Sequence, residues 1–147
     1  MQLLCLPLYA LAMTSSVAIA KTRYSTLQLA TGMHRIEAEV AATPALRHLG
    51  LMNRNSLADN CGMLFVFPEA RANCMWMKNT RIPLSAAFID EQGIIVNIAD
   101  MKPNTSDYHC AAASVLYVLE MRSGWFREKG ITPGARIKGL DKAPIGQ

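Results

Sequence analysis

The alternation of polar and apolar residues predicts the first strand of the domain. From His34 to Val40 every second side chain is apolar, and a period of two places these side chains on one face of a half-exposed strand. Residues 62–67 form a continuous apolar run that ends at Pro68, which is typical of a buried strand. Further strands are predicted at residues 74–80, 84–89, 94–98, 115–121 and after the Pro133-Gly134 turn.

Turn and cap residues predict the connections between these strands. Thr43 followed by Pro44 indicates a helix start, with Thr43 as the cap. Asp90 to Gly93 lies between two strand patterns and predicts a hairpin turn, since Asp accepts local backbone hydrogen bonds and Gly takes positive φ. A second short helix is predicted at residues 123–130, capped by Ser123 and closed by Gly130. The fold expected is mainly β (α+β): a small barrel-like or strongly curved antiparallel sheet with two short helices.

The first twenty residues have the layout of a secretory signal peptide. They contain no Lys, Arg, Asp or Glu, carry an apolar run at residues 3–13, and end in Ala18-Ile19-Ala20. Small residues at alternate positions suit signal peptidase, so cleavage is expected after Ala20. The apolar run is short for a membrane span of ~20 residues, although a retained anchor is the alternative. Residues 1–20 are therefore predicted as the signal and residues 21–147 as one periplasmic or secreted β-rich domain, with no stable membrane span after cleavage.

The expected export determines how the charges and the cysteines of residues 21–147 are interpreted. The net charge is +4, but the basic residues are scattered, which argues against a nucleic-acid partner. Cys61, Cys74 and Cys110 remain after cleavage. An oxidising compartment allows them one disulfide and leaves one thiol over. The pairing is open at this point, as is the alternative of three buried thiols.

Several sequence blocks together resemble one known family. The blocks are Gly50 to Arg54, Gly62 to Phe67, Trp76 to Leu84 and Tyr117 to Glu120. The chain is similar over roughly residues 27 to 140 to the family named domain of unknown function one hundred and ninety-two. The resemblance implies a small, β-rich, often exported protein with no settled activity. The chain departs from the family pattern at three positions, where Ser85 and Ala135 replace Asp and Met75 replaces an aromatic residue.

The signature blocks supply the candidate binding residues. In an extended strand Trp76 and Lys78 would share one face and could form a wall of an anion- or sugar-binding cleft, with indole for stacking and ammonium for charge. The alternative is a structural role for these side chains, and Glu120 with Arg54 could equally form a structural ion pair. Asp90 is more typical of a turn residue. The candidate binding residues are Arg54, Trp76, Lys78, Asn79, Asp90 and Glu120.

Catalytic and metal sites have weaker support in the sequence. No Ser or Cys has an identifiable His or Asp partner by spacing, and no Cys or His pair has zinc-ligand spacing. The several methionines suggest Cu(I), a soft ion that thioethers bind, but Met63 and Met77 fall in predicted strands where they would pack. We therefore expect no catalytic residues, no metal and no cofactor. The predicted function is non-catalytic binding of a small ligand or an envelope protein; the alternatives are an enzyme acting on envelope material and a Cu(I)-binding protein.

Overall fold

A computed structural model describes residues 24–147, and the predicted signal peptide lies outside these residues. The domain is mainly β with two short α-helices, as predicted. Six strands form one sheet in the order β1-β2-β3-β8-β5-β6, and β4 pairs with β7 in a second, two-stranded sheet. The strands are β1 Ser25–Thr31, β2 His34–Ala41, β3 Cys61–Arg71, β4 Cys74–Met75, β5 Leu84–Ile89, β6 Ile95–Met101, β7 His109–Cys110 and β8 Val115–Arg122.

The large sheet is open and mixed, whereas the sequence predicted an antiparallel one. Strands β2 and β3 run parallel, because the chain between them crosses over through helix α1, Pro44–Leu49, and a long loop. Every other pair in this sheet is antiparallel. Strands β1 and β6 lie at opposite edges, so within residues 24–147 the sheet does not close into a barrel.

Two predicted strands are wrong. Regular pairing in the region 74–80 covers only Cys74–Met75, because the chain then turns, with the Thr80 N–H donating to the Met77 carbonyl at 3.1 Å. The predicted last strand is reduced to isolated bridges at Arg136 and Lys138. A 3₁₀ helix, Leu140–Lys142, follows it.

The predicted N-terminal cap is confirmed for the first α-helix and is wrong for the second. In α1 the Thr43 hydroxyl accepts from the Leu46 N–H and Pro44 occupies the first turn, as predicted. Helix α2, Trp125–Glu128, begins instead after Gly124, which has φ 82°. The prediction of a Ser123 cap is wrong, and the Ser123 N–H donates to the Pro83 carbonyl at 3.0 Å. None of the helices in residues 24–147 is long and apolar enough to cross a membrane.

The large sheet buries apolar side chains on both of its faces. Alternate residues of β3 divide between two clusters, Leu64 and Val66 on one face and Met63 and Phe65 on the other. The first face is covered by α2 and the C-terminal segment, and the second by the loop after α1 and the segment 75–82. Because both faces of the sheet are covered, residues 62–67 of β3 are continuously apolar. In a half-exposed strand, polar and apolar residues would alternate.

A disulfide fixes the segment that covers the second face. Cys74 and Cys110 are cross-strand neighbours in the β4–β7 pair and are bonded to each other. Cys61 is a free, half-buried thiol. The structure thus selects one pairing from those that the sequence left open.

Candidate functional site

A buried carboxyl group without a protein partner lies at the centre of the second face. Glu120 on β8 is in register with Met63 on one side and Ala86 on the other, and it is only 3% exposed. Its carboxyl group makes no side-chain hydrogen bond or ion pair with the residues described. Burial raises the pKa of this carboxyl group to about 8, because the charged form loses its hydration in an apolar environment.

The Glu120 side chain lines a small pocket of about 30 Å³. No fully enclosed side-chain oxygen in the described residues lacks a hydrogen-bond partner. The unpaired carboxyl oxygens of Glu120 must therefore reach the pocket. We call this cavity the Glu120 pocket, and its lining residues are Arg47, His48, Leu49, Gly50, Leu51, Met52, Phe65, Met75, Trp76, Thr80 and Glu120.

Two loops that form the pocket wall are tied together by backbone hydrogen bonds. The Asn53 N–H donates to the Asn79 carbonyl at 2.9 Å, which joins the loop after α1 to the loop after β4. Both residues have positive φ, a conformation that Asn tolerates better than most residues. The Tyr24 hydroxyl donates to the Gly50 carbonyl at 3.1 Å.

Gly50 allows the first loop to pass close to the core. Its φ is 46°, and a Cβ built at this position would lie 3.2 Å from the Phe65 Cζ. A side chain here would be strained by the backbone conformation and crowded against the ring. Gly50 and Phe65 thus fix the inner wall of the pocket.

Trp76 forms the half-buried side of the pocket. Its indole stacks on the Tyr108 ring, with centroids 6.0 Å apart and planes 4° from parallel. The Lys78 Nζ lies 5.3 Å from the same indole, a cation–π contact. The neighbouring disulfide at Cys74 holds the start of this segment in place.

The structure brings some of the predicted binding residues together and separates others. Glu120 and Trp76 line one pocket, and Lys78 contacts Trp76 beside it. Asn79 contributes its backbone carbonyl to the loop contact. Asp90 lies in the β5–β6 turn, where Oδ1 accepts from the Gln92 and Ile94 N–H groups.

Arg54 does not pair with Glu120, and that alternative of the sequence analysis is wrong. Its guanidinium instead binds both carboxylate oxygens of Glu39 and lies 5.6 Å from the Tyr24 ring centroid. Glu39 is on the neighbouring strand β2, in register with Met63. The alternating pattern of its strand indicated only an exposed polar position for Glu39, and nothing in that pattern pointed to Arg54 as its partner.

Some pocket residues were not among the sequence candidates. Phe65, Met75 and the loop residues Gly50 to Met52 line the pocket. Phe65 and the loop residues lie within the signature blocks, and this was the sequence feature that could have identified them. They were not chosen because apolar residues in a strand or beside a helix are more typical of a core.

Other hollows on the described surface are larger than the Glu120 pocket. One of them, about 650 Å³, lies beside the β1–β2 turn and residues 129–135. Another, about 230 Å³, contains Ser85, whose hydroxyl donates to Asp100 and accepts from the Gly124 N–H. Asp100 is also bonded to Arg127. In residues 24–147 no group of three or more His, Cys, Asp or Glu side chains is placed to hold a metal ion.

The comparisons with known proteins point to an uncharacterized family. The family model DUF192, described as Uncharacterized ACR, matches residues 26–139. A candidate transcription regulator from Sinorhizobium meliloti 1021 is 36% identical, with a TM-score of 0.77, and the match covers 82% of this chain and 98% of that one. A protein of unknown function from Novosphingobium aromaticivorans DSM 12444 is 32% identical, with a TM-score of 0.73. That match covers 82% of this chain and 89% of the other. No curated protein matches the chain.

Proposed function

We propose that this chain, which belongs to the DUF192 family of uncharacterized proteins, is an exported, non-catalytic domain that binds a small ligand. The Glu120 pocket receives one polar group of that ligand. The family's description assigns no activity, so the proposal is built on the chain's own pocket. An anion or a sugar is the ligand class that the signature residues suggest.

The observation that carries the proposal is the Glu120 carboxyl group, which is only 3% exposed, lines a pocket and has no protein side chain bonded to it. Holding a carboxyl group away from bulk water costs free energy unless a partner forms hydrogen bonds with it. Proteins rarely keep such a group where an apolar side chain would pack. Glu120 lies at a pocket built from separate signature segments of the chain. A ligand that hydrogen-bonds to this carboxyl group would supply the missing partner.

Binding is favoured over glycoside hydrolysis because no second carboxylate lines the Glu120 pocket. Hydrolysis of a sugar polymer typically needs two carboxyl groups across an open cleft. The next carboxylate along this row of the sheet is Glu39, two strands away and thus about 10 Å, and it is held by Arg54. Met63 lies between them and is fully buried, so no substrate fits between the two acids.

The disulfide supports the exported location. Cys74 and Cys110 are both exposed residues, and an exposed disulfide of this kind persists in a periplasmic or extracellular environment and is rare in the reducing cytosol. Together with the signal-like residues 1–20 this favours a periplasmic or secreted protein. Mass spectrometry of protein recovered from a bacterial periplasm tests this: a mature chain starting at Lys21 is expected, and retention of Met1 would contradict it.

The name of the Sinorhizobium relative suggests a different function, transcription regulation, for that protein. We do not extend it to this chain. The basic residues are scattered along the sequence, and several of them in the described part are bonded to carboxylates on the same surface. A DNA-binding domain instead presents a basic stripe or helix.

A Cu(I)-binding function has less support than ligand binding. Met63, Met77 and Met121 are fully buried and pack in the two cores, which is the usual role of methionine. Met52 and Met75 line the Glu120 pocket, so Cu(I) belongs among the ligands tested there.

A thermal-shift screen of the purified protein tests the proposal. Anions, sugars, amines and Cu(I) are each added to the wild type and to the Glu120→Ala variant, with Glu91→Gln, an exposed carboxylate in the β5–β6 turn, as the matched control. We expect at least one anion or sugar to stabilise the wild type and the control but not Glu120→Ala. If no compound stabilises the wild type, or if Glu120→Ala responds equally, small-ligand binding at this pocket is wrong.

A further inference from the structure

We propose that the Cys74–Cys110 disulfide is a redox latch on the Glu120 pocket, and that its reduction releases residues 74–76 and opens the pocket to larger ligands. This inference rests on the proposed binding function and adds the regulation of that site. Three features of the structure carry it: the exposure of the disulfide, the short strand pairing that it reinforces, and the separate anchors on either side of the released segment.

The disulfide is accessible from solvent. Cys74 and Cys110 are both exposed, whereas the residue after each of them, Met75 and Ala111, is buried. Exposed disulfides are the ones that thiols reduce readily, and structural disulfides resist reduction. A dithiol reductant can therefore reach this bond while the domain is folded.

Few other contacts hold the two strands of the latch together. Strands β4 and β7 pair over two residues each and form a sheet of their own, and an isolated two-stranded hairpin is marginally stable at best in water. Beside the strands, the same segments share the bond from the Ala111 N–H to the Asn73 carbonyl and the stacking of Trp76 on Tyr108. Tyr108 is 71% exposed, so this stack is open to water. The covalent bond therefore determines whether the pairing persists.

The segments on both sides of the disulfide are also anchored to the large sheet independently of it. The Asn97 Nδ2 donates to the Cys110 carbonyl at 3.2 Å, and its Oδ1 accepts from the Ala112 N–H at 3.0 Å, which fixes β7 to β6. The Asn73 Nδ2 donates to the Val115 carbonyl at 3.0 Å, which fixes the start of β4 to β8. Both anchors remain when the disulfide is broken.

The chain is fixed again directly after Trp76. Met77 is fully buried, and the loop contact between Asn53 and Asn79 follows two residues later. Reduction therefore frees residues 74–76 between two fixed points and leaves the rest of the covering loop in place. Local opening of this kind is typical of short segments with few buried contacts.

Outward movement of this segment enlarges the Glu120 pocket. Met75 and Trp76 line the pocket, which has a volume of about 30 Å³ while they are in place. One water molecule needs about 10–15 Å³ of such space, so the closed pocket admits a single small group. Sites for whole small molecules measure roughly 300–1,000 Å³. The oxidised protein thus holds the pocket nearly closed, and the reduced protein exposes Glu120 to larger ligands.

The reduction is a two-electron thiol–disulfide exchange with a dithiol, which in the proposed exported location is a Cys-x-x-Cys protein. One thiolate of the dithiol attacks a sulfur of the disulfide, which breaks the S–S bond and forms a mixed disulfide. The second thiolate of the dithiol then displaces the protein sulfur, and the dithiol leaves as its own disulfide. Cys74 and Cys110 end as thiols and take up the two protons that the dithiol has lost.

Carbodiimide labelling of carboxyl groups measures the opening directly. The Cys61→Ser variant, which lacks the free thiol and so cannot reshuffle its disulfide, is prepared oxidised or reduced with dithiothreitol and then desalted without oxygen. Both forms are treated with a carbodiimide and glycinamide, and labelled residues are identified by mass spectrometry. We expect Glu120 to be labelled several-fold faster in the reduced form. Glu91, an exposed carboxylate in the β5–β6 turn, should be labelled equally in both forms.

A variant without the latch and a measurement of folding serve as controls. Cys74→Ser with Cys110→Ser, in the Cys61→Ser background, should label Glu120 at the reduced rate whether or not dithiothreitol has been used. Amide hydrogen exchange in β3 and β8 should be the same in all forms, because the large sheet stays folded. Equal labelling of Glu120 in the oxidised and reduced forms would overturn the proposal. Faster exchange in β3 and β8 on reduction would also overturn it, since the opening would then be global unfolding.

Failure of the latch and failure of the binding function give different results. The thermal-shift screen described above is repeated on the oxidised and reduced forms, and stronger stabilisation of the reduced form by an anion or sugar would support both proposals. If a compound stabilises both forms equally and Glu120 labelling does not change on reduction, the latch is wrong and the binding function stands. If no compound stabilises either form, the binding function is wrong, whereas faster labelling of Glu120 on reduction would still support a redox-controlled pocket.

Discussion

Replacing Glu120 by Gln should stabilise the protein, by an amount that grows with pH. Glutamine has the shape of a protonated glutamic acid and stays neutral at every pH. The exchange therefore removes the cost of keeping an acid uncharged, or of charging it, inside the sheet. Few substitutions of a buried polar residue are expected to stabilise a fold, so the predicted direction is informative.

The magnitude follows from the two pKa values of Glu120. Below pH 4.5 the acid is protonated in both the unfolded and the folded state, so it adds no pH dependence. Between 4.5 and about 8 the unfolded chain loses the proton while the folded protein keeps it, so stability falls as pH rises. Above about 8 both states are ionised and the loss is complete.

Each pH unit in that window costs about 1.4 kcal/mol. The wild type should therefore be less stable than Glu120→Gln by on the order of 3 kcal/mol at pH 7 and on the order of 5 kcal/mol above pH 8. The two proteins should be about equally stable near pH 4. Against a typical unfolding free energy of about 5–15 kcal/mol, such differences are readily measured.

Urea unfolding followed by tryptophan fluorescence is a suitable assay, because Trp125 is fully buried and should report loss of the core. Curves for the wild type, Glu120→Gln and the exposed control Glu91→Gln are recorded near pH 4.5, 7 and 9. The control should track the wild type throughout. A difference between Glu120→Gln and the wild type that is the same at all three pH values would refute the reasoning, since it would mean that burial does not raise the pKa of Glu120.

Three further predictions concern the scaffold around the pocket. Cys74→Ser with Cys110→Ser opens a loop with a sequence separation of 36. It should cost about 4 kcal/mol in urea unfolding, and a midpoint equal to that of the oxidised wild type would contradict this. Thr43→Ala should cost about 1 kcal/mol by removing the α1 cap, whereas Thr43→Ser should retain most of it. Ser85→Ala should cost about 1–3 kcal/mol by leaving the Gly124 N–H unpaired; a loss no larger than that of an exposed Ser106→Ala control would argue against it.

Local features of the fold were predictable because neighbouring residues determine them. The Asp90 turn depends on bonds from one side chain to N–H groups two and four residues later, and the α1 cap joins Thr43 to Leu46. Such contacts can be read from spacing. The Ser123 cap was wrong for a non-local reason, since its N–H is taken by Pro83 in a distant segment.

Pairings between distant segments could not be read from the sequence in the same way. The parallel contact of β2 with β3 depends on how the α1 crossover packs, and no local pattern specifies it. The alternation in residues 74–80 favours a strand, but the loop contact between Asn53 and Asn79 and the turn at Met77 override it. Glu120 was identified as a candidate by its signature block, whereas its lack of a partner became visible only when Arg54 was found bound to Glu39.

The departures from the family pattern have unequal consequences for the proposed site. Ser85 is on the opposite face of the sheet from Glu120, bonded to Asp100 and Gly124, and Ala135 packs against the other core cluster. Neither reaches the Glu120 pocket. Met75, which stands where the family pattern has an aromatic residue, lines it directly. A flexible thioether fills irregular space where a ring would impose one shape. Glu120 thus lies in a block that resembles the family, while Met75 in the pocket wall departs from it.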